Sequence, residues 1–374
     1  MNNTVALYVH VPFCLSKCAY CDFYSLPCTE QKSAYVKALC RALTSAAETE
    51  KREVESVFFG GGTPSLLTGC EMGEIVKALS HFSLSPSCEI TVEVNPKTAD
   101  FDTLSAYRAL GVNRISIGMQ ASRDETLRLL GRRHTMEETV SCVTDVRRAG
   151  FDDFSLDLMY GLPHQTMEEW RASLDDALAL SPKHLSLYAL TLSEHAPLYR
   201  LVEALPSDEV QRAFYETAFD VLSAAGFSRY EISNFSREGF SCRHNLRYWR
   251  GGDYLGFGPA ASSLYHARRH TEPESLFEFL NAPEGLLSRI FENEPMDEAE
   301  LLAEKLLLSL RLSEGLDYTA FLKQLSSPAP FEAEVQALSA GGFCTVREGR
   351  LCLLRDGFFV SNEIISRLLL AAGL

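Results

Sequence analysis

The chain has 374 residues, 46% hydrophobic and 23% charged, enough for one large apolar core and a smaller one. Its 35 Lys and Arg stand against 50 Asp and Glu, and a formal net charge of -15 opposes phosphate-backbone binding, so nucleic acid is excluded as the main partner. The odd count of 11 cysteines is no disulfide framework in a chain this long, and the tight N-terminal group among them needs the reduced thiols of the cytosol.

Neither a secretory signal nor a run approaching the ~20 apolar residues of a membrane span is visible. In chain order, short apolar strands are predicted at 6–10, 56–59, 89–94, 114–117, 154–159 and 184–190. Helical periodicity falls between them, at 31–51, 69–81, 102–110, 135–149 and 166–180, with Gly111 and Gly150 placed as helix stops. Six alternations of strand and helix predict an α/β fold, a partial (β/α)6 TIM-like barrel with its chemistry just past the strand ends. A helix follows at 207–225, with Ser207 as N-cap and Gly226 as stop. Helices at 297–312, 318–324, 331–340 and 361–372 and a hairpin through Glu348-Gly349-Arg350 predict a small C-terminal winged-helix-like α+β domain. The expected domains are 1–235 (barrel core), 236–295 (connector) and 296–374.

Cys14, Cys18 and Cys21 form a C-x3-C-x2-C group with no fourth cysteine at ferredoxin-like spacing. Iron–sulfur cubes usually take four cysteine ligands, so a cube held by three leaves one iron open. Structural zinc is the alternative, but it normally takes four protein ligands, and no further Cys or His lies at the usual spacing. Gly60-Gly61-Gly62-Thr63 follows the second strand, as a tight turn or as backbone that approaches a ligand. Glu93, Gln120, Arg132 and Asp157 each have a structural reading as well as a binding one, but together they fall on consecutive strand ends. His244 opens His-Asn-Leu-Arg-Tyr-Trp, where a lone histidine ordinarily hydrogen-bonds inside a polar-aromatic cluster. Arg243, Arg247, Arg250, Arg268 and Arg269 make a local basic patch suited to a polyanionic small molecule.

The cysteine group with its flanking aromatic resembles the radical S-adenosylmethionine (SAM) superfamily, in which the open iron of a [4Fe–4S] cluster chelates SAM and an electron releases a 5′-deoxyadenosyl radical. Tyr8, Tyr20, the 157–166 segment and Leu308–Asp317 are similar to the oxygen-independent coproporphyrinogen III oxidase group, from Tyr8 to about Asn362. The resemblance implies cluster ligation by Cys14, Cys18 and Cys21. It implies cofactor contacts at Tyr8, Tyr20, Gly61, Gly62, Thr63, Glu93, Gln120, Arg132 and Asp157. Within the group, Phe23 where the oxidase has a further cysteine, the short N-terminus and the His-Asn-x-x-Tyr-Trp motif resemble the haem-chaperone branch. That branch implies haem at His244, with Tyr248 and Trp249 stacking and Cys242 as a second candidate ligand. It also implies haem-accepting respiratory proteins and a flavodoxin-like or other electron donor. Dimerisation and peripheral membrane contact stay open. The oxidase and a radical enzyme of unknown substrate are the alternatives.

Overall fold

The computed structural model describes residues 3–374. Six parallel strands, β1 (Thr4–Val11), β2 (Glu53–Gly61), β3 (Ser83–Val94), β4 (Arg114–Gln120), β5 (Phe154–Tyr160) and β6 (His184–Ala189), lie side by side in chain order. Helices α1 (Lys32–Thr49), α2 (Gly69–Leu79), α3 (Phe101–Ala109), α4 (Asp124–Leu129), α5 (Met136–Arg148) and α6 (Met167–Ala179) connect them, and α7 (Asp208–Ala224) follows β6. A doubly wound sheet reverses its strand order at a switch point. The sequential order here is that of a barrel wall, and β1 and β6 do not pair with each other, so the barrel is partial.

Local chemistry sets these boundaries. Thr68/Glu71, Thr135/Glu138 and Thr166/Glu169 form reciprocal capping boxes that start α2, α5 and α6. Gly111 and Gly150 follow α3 and α5 at φ 97° and 87°, the left-handed stop expected of them. Ser207 holds the N-cap position of α7 but makes no side-chain capping bond. The core strands are near-continuous apolar runs because both faces are covered: Val5, Leu7, Val9 and Val11 on one face of β1 and Ala6 on the other are all fully buried.

The sheet is wider than six strands. β7 (Ser228–Arg229) and β8 (Asn234–Ser236) extend it antiparallel beyond β6. After helix α8 (Arg243–Trp249), β9 (Tyr254–Phe257) pairs parallel with β1. Strands β10 (Ser262–Tyr265) and β11 (Arg268–Thr271) then complete an 11-stranded sheet. The expected break at 235/236 therefore falls inside β8, and 254–271 is wall of the barrel rather than connector. β3 begins at Ser83, earlier than predicted, and its polar first half carries Pro86 beside a register shift, where the ladder is interrupted anyway.

The C-terminal residues build a separate three-stranded antiparallel sheet with helices at Glu298–Ser309, Pro328–Ala340 and Ser361–Ala372. Its hairpin, Cys344–Arg347 to Arg350–Leu353, turns at Glu348 and Gly349 with φ 51° and 75°. Both central residues of a two-residue hairpin turn have positive φ in the favoured type I′ geometry.

Candidate cofactor site at the strand ends

A cavity of about 450 Å3 opens at the C-terminal ends of the parallel strands, within the size range of small-ligand sites. Cys14, Cys18 and Cys21 line it from the loop after β1. The backbone fastens that loop: Cys14 N–H donates to the Leu26 carbonyl (2.9 Å), and Ala19 N–H donates to that of Leu130 (3.0 Å). His10 adds a clamp. Its Nε2 meets the Tyr24 carbonyl at 2.8 Å, so that nitrogen carries the proton, and Nδ1 accepts from the Tyr8 hydroxyl at 3.1 Å. His10→Ala strands both partners and empties the space under Gly61. It is expected to lower the unfolding free energy by about 2–4 kcal/mol, measured by denaturant titration, and to reduce iron loading of the loop.

The glycines after β2 serve close packing. A Cβ on Gly62 would stand 2.7 Å and 2.8 Å from the carbonyl oxygens of Phe13 and Val11, and Gly61 lies against the His10 ring at φ 105°. Thr63 is buried; its hydroxyl donates to the Cys14 sulfur (3.5 Å) and accepts from Asn95 Nδ2 (2.9 Å). Arg132, beside the cysteine loop, lies over the Tyr20 ring (5.9 Å) and donates through Nη1 to Asn95 Oδ1. Gln120 ends β4 at φ 66°, a strained left-handed conformation for a non-glycine residue. Gly118, with no side chain, leaves room where the Gln120, Arg132 and Asn95 side chains meet.

The ionisable groups are tuned by burial. Glu93 is raised to about 8 by burial and then by the Asp157 carboxylate, while the Gly61 N–H and Arg132 act in the opposite sense. Burial also raises Asp157, against hydrogen bonds from Ser186 and Ser116 and the Arg132 charge. A raised folded-state pKa lends stability that is full below the ordinary value of 4.5 and is lost as pH rises through about 8. Glutamine does not ionise. The stability advantage of Glu93→Gln over the parent protein without cofactors is therefore expected to widen across that window and to level off above it, as paired melting curves would read.

Cys14, Cys18, Cys21, Tyr20, Gly61, Gly62, Thr63, Glu93, Gln120, Arg132 and Asp157 thus face one cavity. Two expected residues stand apart. Tyr8 is not in the lining, its hydroxyl being spent on His10. His244 is 1% exposed; Nδ1 pairs with Ser56 Oγ (2.9 Å), Nε2 with the Tyr248 hydroxyl (2.8 Å), and the ring stacks on Phe58. Burial and Arg247 lower it to about 3, so it is a neutral core imidazole with both nitrogens engaged. The Cys242 thiol is buried and donates to Glu89, which makes it no free thiolate. The arginine patch is also committed: Arg247 pairs with Glu55, Arg250 with Glu314 and Arg269 with Glu304. The sequence reading missed Asn95, Ser116, Gly118 and Tyr188. Two of them were signalled by alternation, since Asn95 follows Glu93 by two residues and Gly118 precedes Gln120 by two.

These residues fit a three-cysteine cluster with SAM. Among the described residues, no three His, Cys, Asp or Glu side chains converge as a single-ion site requires. The thiols instead line a roomy cavity together with a carboxylate pair, a buried guanidinium beside Cys18, and glycines.

The chain matches the radical SAM superfamily over residues 8–177 and the HemN C-terminal domain over 296–360. It is 34% identical to the heme chaperone HemW of Synechocystis, covering 98% of this chain and 96% of that one. It is 40% identical to the Escherichia coli heme chaperone HemW over 69% of both chains. A zebrafish protein, radical S-adenosyl methionine domain-containing protein 1, mitochondrial, is 33% identical over 98% of this chain and 87% of its own. Coproporphyrinogen III oxidase (HemN) of E. coli, a radical SAM enzyme, has the same fold. Its TM-score is 0.83 at 24% identity, with 98% of this chain and 90% of that chain covered.

Proposed function

We propose a carrier function from one premise: the chain belongs to the HemW family of radical SAM proteins. It is a haem chaperone-like protein that holds a [4Fe–4S] cluster, SAM and haem, and passes haem to haem-dependent respiratory proteins. The observation that carries this reading is similarity to heme chaperones along 98% of the chain.

When bound, the cluster and SAM supply reductive cleavage of a sulfonium. The chain's residues prepare the place. Cys14, Cys18 and Cys21 give up their protons to become ligands, and the loop bonds already hold their spacing. Gly61, Gly62 and Thr63 bring backbone and a hydroxyl to the SAM amino group. Glu93 takes ribose hydroxyls, and Arg132 balances Asp157 and the SAM carboxylate. Gln120 and Tyr20 close the sides. In this reading 236–295 carries the carrier motif and 296–374 is the family's C-terminal domain, which its match to the HemN C-terminal domain over 296–360 supports. No helix among the described residues is long and apolar enough to cross a membrane. A cytoplasmic location and an outside electron donor complete the reading.

The test is a pair of assays on anaerobically reconstituted protein. Haemin added with SAM present is expected to be retained through gel filtration. Coproporphyrinogen III offered with SAM and reductant is expected to return unchanged, and a vinyl product would overturn the carrier reading in favour of the oxidase.

A further inference from the structure

The carrier motif presents its histidine to the core, yet its last residue opens onto a second cavity. That cavity, of about 330 Å3, lies where α8, β10 and the first helix of the C-terminal domain meet. Domain junctions are frequent ligand sites. His244 explains how the motif gets there. Ser56 Oγ and the Tyr248 hydroxyl hold the imidazole at both nitrogens, and Glu89 accepts from the N–H groups of Arg243 and His244. The helix is thereby pinned to the sheet, and Trp249, half-buried, forms part of the cavity wall. Leu264, Met296, Leu301, Leu308 and Leu312 supply the remaining apolar surface.

The charges of this cavity do not cancel. Its acids are committed to partners: Asp253 to Arg52, Glu304 to Arg269 and Glu314 to Arg250. Lys305 is exposed and has no salt-bridge partner among the described residues. Arg350 spends two donors on the backbone carbonyls of Glu314 and Gly315 and forms no ion pair of its own, its charge reaching only the Glu314 carboxylate that Arg250 already holds. Two cations without ion pairs of their own beside an indole and a leucine wall, on a chain of net charge -15, select a flat apolar molecule that carries two carboxylates.

We propose that this junction cavity is the cargo site: the porphyrin ring lies on Trp249 and the leucine wall, its two propionates reach Lys305 and Arg350, and His244 is a positioning residue rather than an iron ligand. The inference rests on the carrier reading and goes beyond it in locating the cargo away from the cysteine cavity. Recognition by ring and carboxylates also means that the iron contributes little to affinity.

The test is a visible-absorbance titration of the full-length, anaerobically reconstituted protein with haemin, iron-free protoporphyrin IX and protoporphyrin IX dimethyl ester. Haemin and protoporphyrin IX are expected to bind within tenfold of each other, and the ester at least tenfold more weakly. The double variant Lys305→Glu/Arg350→Glu is expected to weaken haemin binding at least tenfold while leaving the ester unaffected. Leu308→Phe, which narrows the cavity without touching charge, is expected to weaken all three ligands. Haemin affinity within twofold of the parent in both variants overturns the placement while the carrier reading stands. A parent protein that retains no haemin overturns both.

Discussion

Cys18→Ser is expected to abolish iron–sulfur loading while leaving the α/β fold in place. Only three cysteines face the cavity, so loss of one leaves two ligands for a cube that takes at least three from the protein. The fold does not depend on the thiol. The loop is held by main-chain bonds, from Ala19 to Leu130 and from Leu26 to Pro12, and Cys18 is only half-buried. The change in unfolding free energy should stay within about 1 kcal/mol. Iron and sulfide analysis after anaerobic reconstitution, with circular dichroism beside it, checks both halves. Cys28→Ser and Cys70→Ser, at exposed positions outside the cavity, should load like the parent. A normally loaded Cys18→Ser protein would mean that the ligand set is misassigned.

Arg132→Leu carries the second large effect, a loss of SAM affinity of about 10–100-fold, the range of one charged hydrogen bond. The buried guanidinium does three things at once. It donates to Asn95, it lies over Tyr20, and its charge holds down both Glu93 and Asp157. Its Nε has no protein partner, so a donor is left for a ligand carboxylate. Leucine removes the donor and lets both acids rise further. Arg132→Lys restores the charge without the planar fork and should recover part of the affinity. Isothermal titration with SAM on the cluster-loaded protein separates these outcomes, and an unchanged Kd in Arg132→Leu would remove Arg132 from the site.

Much of this site was legible because parallel strands deliver it in order. Glu93, Gln120 and Asp157 end successive strands, and strand ends in an α/β alternation can be read from periodicity. His244 was not legible, because its fate depends on Ser56, 188 positions away, and on a phenyl ring of β2. The orientation of Tyr8 was not legible for a similar reason: the proton on His10 decides where its hydroxyl points, and that proton is set by the distant Tyr24 carbonyl. The arginines looked like a patch in one dimension. In three, Arg247, Arg250 and Arg269 each meet an acid supplied by another element, Arg268 bonds backbone carbonyls, and the cavity's two cations without ion pairs, Lys305 and Arg350, come from a different part of the chain. The strands past β6 are short, two to four residues each, below what alternation can distinguish from loop.

The pairing of β9 with β1 has a consequence for biogenesis. During synthesis the strand that leads into the cysteine loop keeps one ladder of backbone groups open until residues 254–257 leave the ribosome. Such distant partners close slowly, and an open edge meanwhile invites other chains. The nascent protein therefore passes through a sticky, half-walled stage in which its N-terminal thiols are displayed before their shelter is finished, and metal delivery is best timed after translation has passed the ninth strand.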